Sequence, residues 1–395
     1  MTPPESTVAR PLAGIRVIDF SMFVAGPCCT RSLADAGADV IKIEPPEGDN
    51  LRTRPPKREG CSSYYGHLNA GKRSVILDLK RSDALDVAKT LVSTADIVVE
   101  NGRPGAMKRF GLDYETLSKS NPRLIYCSIS GYGQTGPGAD RPAYAQTVQA
   151  ASGHDLAFMG YQDGQERPSN TGIFVADILA GVYSLSAVMT ALYQRERTGR
   201  GQFVDVAMMD AMMNLLPYEF QEAQFPSKER RLVYKPLKTL DGYLMVALVS
   251  PKNFEKLFET IGHPEWKSDL RFSTTESRYQ NWDLLMGFVE EWTCRFSSND
   301  CAARLSAAGI PATLYQTVKE AMLDPQLAHR GSFSEVSDAA GKFLVPNLPF
   351  KMSDANVDAQ GFVAGSGEHT AEVLAELAGL TPEGIRSLSE PTVKK

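Results

Sequence analysis

In the first 130 residues, short apolar runs alternate with segments of helical spacing, and few folds satisfy that alternation. Residues 15–20 read as a strand. Gly26-Pro27 then opens a helix through residue 36, since proline is tolerated in a helix's first turn. Strands follow at 39–43 and 75–77, a helix at 83–93, and further strands at 97–99 and 124–130. Such βαβ units build a largely parallel sheet with helices on both faces. The expected fold is α/β: a Rossmann-like large domain with a mostly parallel sheet, plus a smaller α/β domain. Residues 1–210 form the first part of the large domain and 211–235 a polar, proline-broken linker. Residues 236–325 form the small domain, with a strand at 243–248 and helices at 251–261, 282–293 and 299–308. Residues 326–395 are a linker and return segment to the large domain.

A length of 395 residues leaves room for two domains, and the net charge of −5 argues against general nucleic-acid binding or attraction to anionic membranes. The six cysteines form no CxxC pair and no two histidines sit at ligand spacing, so no metal site is expected. Reduced thiols and an N-terminus without a basic or apolar segment point to the cytoplasm. The apolar run 173–192 has the length of a membrane span, but it contains Asp177, Ser184 and Ser186 and reads as a buried core helix.

Between Arg167 and Arg195, Asp177 is the one charged residue. A carboxylate in such a stretch loses hydration without a neighbouring counter-charge, a setting typical of a reactive group. It is equally the setting of an aspartate in a helix's first turn, held by the helix dipole. Two familiar nucleotide motifs nearly occur. Only Gly26 precedes Gly37 where pyrophosphate binding needs three glycines. Gly66-His-Leu-Asn-Ala-Gly71-Lys72 follows most of a phosphate loop, but Arg73 replaces the magnesium-binding hydroxyl and a strand follows where a helix is required. The surrounding charge remains informative. Arg52, Arg54, Lys57, Arg58, Lys72 and Arg73 stand against Glu59 alone, which suits either a polyanionic ligand or a solvated loop face. Asn101-Gly-Arg-Pro-Gly105 sits just past a strand, where parallel sheets bind ligands.

Several segments together resemble the family III CoA-transferases (the CaiB/BaiF family), the group containing formyl-CoA and carnitine CoA-transferases. They are Pro11-Leu-Ala-Gly-Ile-Arg-Val-Ile-Asp19, Ala25-Gly-Pro27, Leu33-Ala-Asp-Ala-Gly-Ala-Asp-Val-Ile-Lys-Ile-Glu44 and Lys72-Arg-Ser-Val-Ile-Leu-Asp-Leu-Lys80. Further matches are Glu100-Asn-Gly-Arg-Pro-Gly105, Gly131-Tyr-Gly-Gln-Thr-Gly-Pro137, Arg195-Glu-Arg-Thr-Gly-Arg-Gly-Gln202, Asp324-Pro-Gln-Leu327 and Gly367-Glu-His-Thr370. The resemblance implies transfer of CoA from an acyl-CoA to a free carboxylic acid, with Asp177 as nucleophile and anhydride and enzyme–CoA thioester intermediates. It implies CoA contacts at Val24, Ala25, Leu77, Lys80, Asn101, Gly102, Arg103, Arg109, Arg141 and Tyr144. No cofactor beyond CoA as substrate is implied, and the family's interlocked homodimer would thread through the long polar stretches near 210–235 and 325–350. Val24 and Pro45 stand where formyl-CoA transferase has a substrate-holding glutamine and an adenine-contacting arginine. That enzyme's shielding glycine loop is replaced by Arg231-Leu-Val-Tyr-Lys-Pro-Leu-Lys238.

The same fold hosts α-methylacyl-CoA racemases, which move a proton with a His–Asp pair. Their histidine is expected at 143–145, where this chain has none; His154 lies nine residues on. A non-catalytic acyl-CoA-binding protein would have no need of Asp177 in an apolar run.

Overall fold

The computed structural model describes residues 10–168, 172–227 and 231–389, so the N-terminal residues read for a targeting signal lie outside the described residues. The chain divides into two units, 1–224 with 328–395, and 225–327. The first is built on six strands: β1 (Arg16–Asp19), β2 (Asp39–Glu44), β3 (Arg73–Ile76), β4 (Ile97–Glu100), β5 (Ile125–Ser130) and β6 (Phe203–Ala207). All neighbours pair in parallel in the order β3-β2-β1-β4-β5-β6. The chain therefore winds outward from β1 to one edge, then starts again at β4 toward the other. The sheet is the α/β fold expected.

Alternate side chains on each strand enter opposite cores, as the period of two demands. Val17, Ile97 and Val99 join one core with Cys29, Leu33 and Val188. Ile18 and Val98 join the other with Val87, Leu91, Val373 and Leu374. Burial on both faces explains why the strands carry near-continuous apolar runs. Three helices matter for the site: α1 (Ala25–Asp35), α2 (Ser63–Asn69) and α3 (Val175–Thr198).

α3 is not the wholly buried helix that its composition suggested. One face packs on α1 and the sheet through Ala176, Ala180, Gly181, Ser184, Val188 and Ala191. The other face exposes Ile178, Val182, Tyr183, Met189 and Tyr193. Gly181 sets the closeness of the α1 contact: a Cβ there would lie 2.8 Å from the Ala25 carbonyl oxygen and 2.8 Å from Cys28 Cβ. The helix ends at Gly199, in the left-handed region at φ 70°.

Part of the stretch read as linker is helical, at Met208–Leu215 and Pro217–Gln224. Beyond 328 the large unit gains an antiparallel hairpin, Phe333–Asp338 with Gly341–Pro346, and two helices, Thr370–Ala378 and Pro382–Ser389. The second unit has a three-stranded antiparallel sheet of Leu237–Lys238, Tyr243–Val246 and Ala312–Leu314. Its core is aromatic, with Phe254, Phe258, Trp266, Phe272, Trp282 and Trp292 buried.

Candidate active site

Where the strand order reverses, between β1 and β4, loops leaving the two carboxyl ends diverge and open a crevice. A cavity of about 600 Å³ occupies it. The loops are braced together. Asn101, just after β4, accepts the Met22 N–H through Oδ1 at 2.9 Å and donates from Nδ2 to the Met22 carbonyl at 2.7 Å. Gly26 permits this approach, since a Cβ would lie 2.1 Å from that of Ser21. Glu100 holds the next loop residue by accepting the Gly102 N–H at 2.7 Å. Burial pushes the Glu100 carboxyl up to about 7. Phe23 pays in backbone strain, with φ at 64° in a non-glycine residue, and its ring meets Tyr144 edge-on at 6.4 Å.

Beneath this loop lies an ionic cluster that the sequence did not disclose. Lys72 Nζ, fully enclosed, donates to Asp19 at 3.1 Å, Thr30 at 2.7 Å and Asn69 at 2.9 Å. Burial lowers the lysine to about 8. Burial also pushes Asp19 up, but Lys72 and Lys42, together with hydrogen bonds from Ser21 and Thr30, hold the carboxyl below its usual value. Lys42 in turn pairs with Asp49 at 3.0 Å. The near-phosphate-loop lysine is therefore a structural counter-ion.

Asp177 sits in the first turn of α3 and lines the cavity. Burial, and nothing else, pushes its carboxyl up to about 6. Among the described residues it has no hydrogen bond or ion pair. Its charge adds to burial in raising the Tyr64 hydroxyl, on α2, which lines the same cavity. α1 begins at the wall with no side-chain cap, and among the described residues the backbone N–H groups of Ala25 and Gly26 have no backbone acceptor.

Of the residues singled out from the sequence, Val24, Ala25, Asn101, Gly102, Arg103, Arg141 and Tyr144 line the cavity with Asp177. Leu77 instead packs into the core beside β3. Lys80 and Arg109 are exposed on the segments after β3 and β4, at the same carboxyl edge, but do not line it. Not singled out from the sequence are Phe23, Tyr64, Phe174 and Met208, from four separate segments, while Arg54 stood there only as one of the six cations of the basic stretch. His154 bonds Asp155 at 2.9 Å, stacks on Phe158, and does not line the cavity. Among the described residues no group of three or more His, Cys, Asp or Glu side chains could hold a metal ion.

Comparison with known proteins agrees with this architecture. The family model described as CoA-transferase family III matches residues 12–370. A succinate–glutarate CoA-transferase of Agrobacterium fabrum is 35% identical over 93% of this chain and 96% of its own length. A formyl-CoA:oxalate CoA-transferase of Streptomyces avermitilis is 33% identical over 96% of this chain and 98% of its own. Among solved structures, a CAIB/BAIF family protein from Brucella suis superposes with a TM-score of 0.82, at 35% identity, over 93% of this chain and all (100%) of that one. The chain belongs to CoA-transferase family III, and it is an enzyme that moves CoA from an acyl-CoA to a carboxylic acid.

Proposed function

We propose that this family III CoA-transferase works in the cytoplasm as a homodimer, and that it exchanges CoA between short dicarboxylic acids through covalent intermediates on Asp177. The observation that carries the reading is a single carboxylate in the cavity at the switch point, partly desolvated and without a counter-ion. A carboxylate so placed is a better nucleophile than a hydrated one, yet it stays largely ionised near neutral pH.

A carboxylate oxygen of Asp177 attacks the donor thioester carbonyl. The C–S bond breaks and the CoA thiolate leaves, giving a mixed anhydride. The thiolate then attacks the aspartyl carbonyl, the anhydride C–O bond breaks, and the donor acid departs as its carboxylate. Asp177 now holds CoA as a thioester. The acceptor carboxylate attacks that thioester and expels the thiolate, which attacks the acyl carbonyl of the new anhydride and regenerates Asp177. No net proton moves, and the thioester's free energy is conserved while water is kept out. The amides of Ala25 and Gly26, at the uncapped start of α1, are the donors we assign to the developing oxyanions. Arg103 and Arg141 are assigned to CoA phosphates, where bidentate guanidinium contacts suit the ligand.

The acids named for the A. fabrum relative, succinate and glutarate, are both dicarboxylic, which supports that substrate class. The exposed apolar face of α3 supports a second copy covering it, since apolar patches of this kind mark association surfaces. The test is steady-state transfer from succinyl-CoA to glutarate. Parallel-line (ping-pong) kinetics are expected, and Asp177→Ala should lose at least about a thousandfold in kcat. An active alanine variant, or rapid deuterium uptake into a 2-methylacyl-CoA with no acceptor present, would overturn the reading.

A further inference from the structure

The six cations between Arg52 and Arg73 are not equivalent once folded. Arg52 donates to Glu44 at 2.7 and 2.6 Å and lies over the Tyr65 ring. Arg58 is bidentate to Asp338 at 3.0 and 2.9 Å. Lys72 is committed to Asp19, and Arg73 to Asp39, Glu372 and Glu376. Arg54 and Lys57 remain. Among the described residues neither has a carboxylate within salt-bridge distance, and of the six only Arg54 lines the cavity.

Its position there separates it from the other two cavity arginines. Arg103 follows β4, and Arg141 lies on the loop after β5 with its guanidinium near Tyr132. Arg54 follows the short 3-10 turn Asn50–Thr53, on the segment that packs beside α2. α2 carries Tyr64, the cavity residue that feels the charge of Asp177. Arg54 thus shares a wall with the neighbour of the nucleophile, yet no ion pair joins it to Asp177, so its guanidinium lies more than 4.0 Å from the reacting carboxylate. An unpaired guanidinium set apart from the nucleophile in the same cavity matches a substrate carrying a second carboxylate at its far end.

We propose that Arg54 is the specificity-determining residue of this enzyme, receiving the non-reacting carboxylate of a dicarboxylic acceptor or acyl group. The proposal rests on the dicarboxylate reading above. The experiment measures kcat/KM for glutarate and for its monoamide, which differ only in charge at the far end, with succinyl-CoA as donor. In the wild type the diacid is preferred. In Arg54→Gln the diacid-to-monoamide ratio should fall about ten- to a hundredfold, the value of one charge-assisted contact. In Arg54→Glu the preference should move toward 5-aminopentanoate, a gain that misfolding cannot produce. A wild-type preference that survives Arg54→Gln, or that collapses in Arg103→Gln or Arg141→Gln instead, overturns the assignment to Arg54 alone. A wild type that does not prefer the diacid overturns the dicarboxylate reading and the role of Arg54 with it.

Discussion

On the proposed mechanism, the chemistry turns on one carboxylate, Asp177, that is partly desolvated and yet kept in its charged form. Burial raises Asp177 to about 6, so the group is mostly ionised at pH 7.5 and increasingly protonated below pH 6. Activity should therefore fall about tenfold per pH unit below about 6, because only the ionised form attacks. Glu100, raised to about 7 by burial, titrates nearby but acts on the loop rather than on substrate. Glu100→Gln should leave the acid limb in place, and a limb that moves with this substitution would assign it to Glu100. The raised pKa has a stability consequence of opposite sign to the usual paired carboxylate. The folded state holds the Asp177 proton up to about pH 6, whereas the unfolded chain releases it near 3.9. Above pH 6 the ionised group destabilises the fold, so Asp177→Asn should melt higher than wild type at pH 7.5, and thermal scans should see the gap close toward pH 4. Asp177 was legible in the sequence because a lone charge in an apolar run stands out. Arg54 was not. Its difference from Arg52, Arg58 and Arg73 depends on Glu44, Asp338, Glu372 and Glu376, partners that only the fold brings near.

At the scale of elements, the strands of the parallel sheet are readable because burial on both faces leaves apolar runs such as Ile97-Val-Val and Leu124-Ile-Tyr-Cys127 uninterrupted. The hairpin Phe333–Asp338 with Gly341–Pro346 gives little signal because its first strand is largely polar and the pair buries only Val336 and Val345. The helices Met208–Leu215 and Pro217–Gln224 extend into the 211–235 stretch that reads as linker, where Pro217 breaks their continuity and Tyr-Glu-Phe-Gln-Glu lacks a clear apolar stripe. The contact of α3 with α1 has its own test. Gly181 lies one turn beyond Asp177, and a Cβ there would meet a backbone carbonyl that cannot rotate away. Gly181→Val should cost about 1–3 kcal/mol by overpacking and displace the start of α3. Calorimetry and transfer assays should then show a lower Tm together with a lower kcat. A variant matching wild type in both would contradict the packing described. The buried Lys72–Asp19 pair is the other fixed point: Lys72→Ala leaves an unpaired carboxylate, an expected loss of about 3–5 kcal/mol.

For the whole molecule, the outward face of α3 sets the expectation. Light scattering should give twice the chain mass, and Val182→Glu combined with Met189→Glu should shift it toward the monomer, since charges on a covered apolar face are costly. A wild type that runs as a monomer would contradict the dimer. The central claim, that CoA is carried covalently by Asp177, has a more direct test. The enzyme is incubated with succinyl-CoA without acceptor, quenched with hydroxylamine, digested and mapped by mass spectrometry. A hydroxamate on Asp177, absent without donor, is the expected result. An unmodified Asp177 peptide from enzyme that still turns over, or modification at another carboxylate, would contradict it.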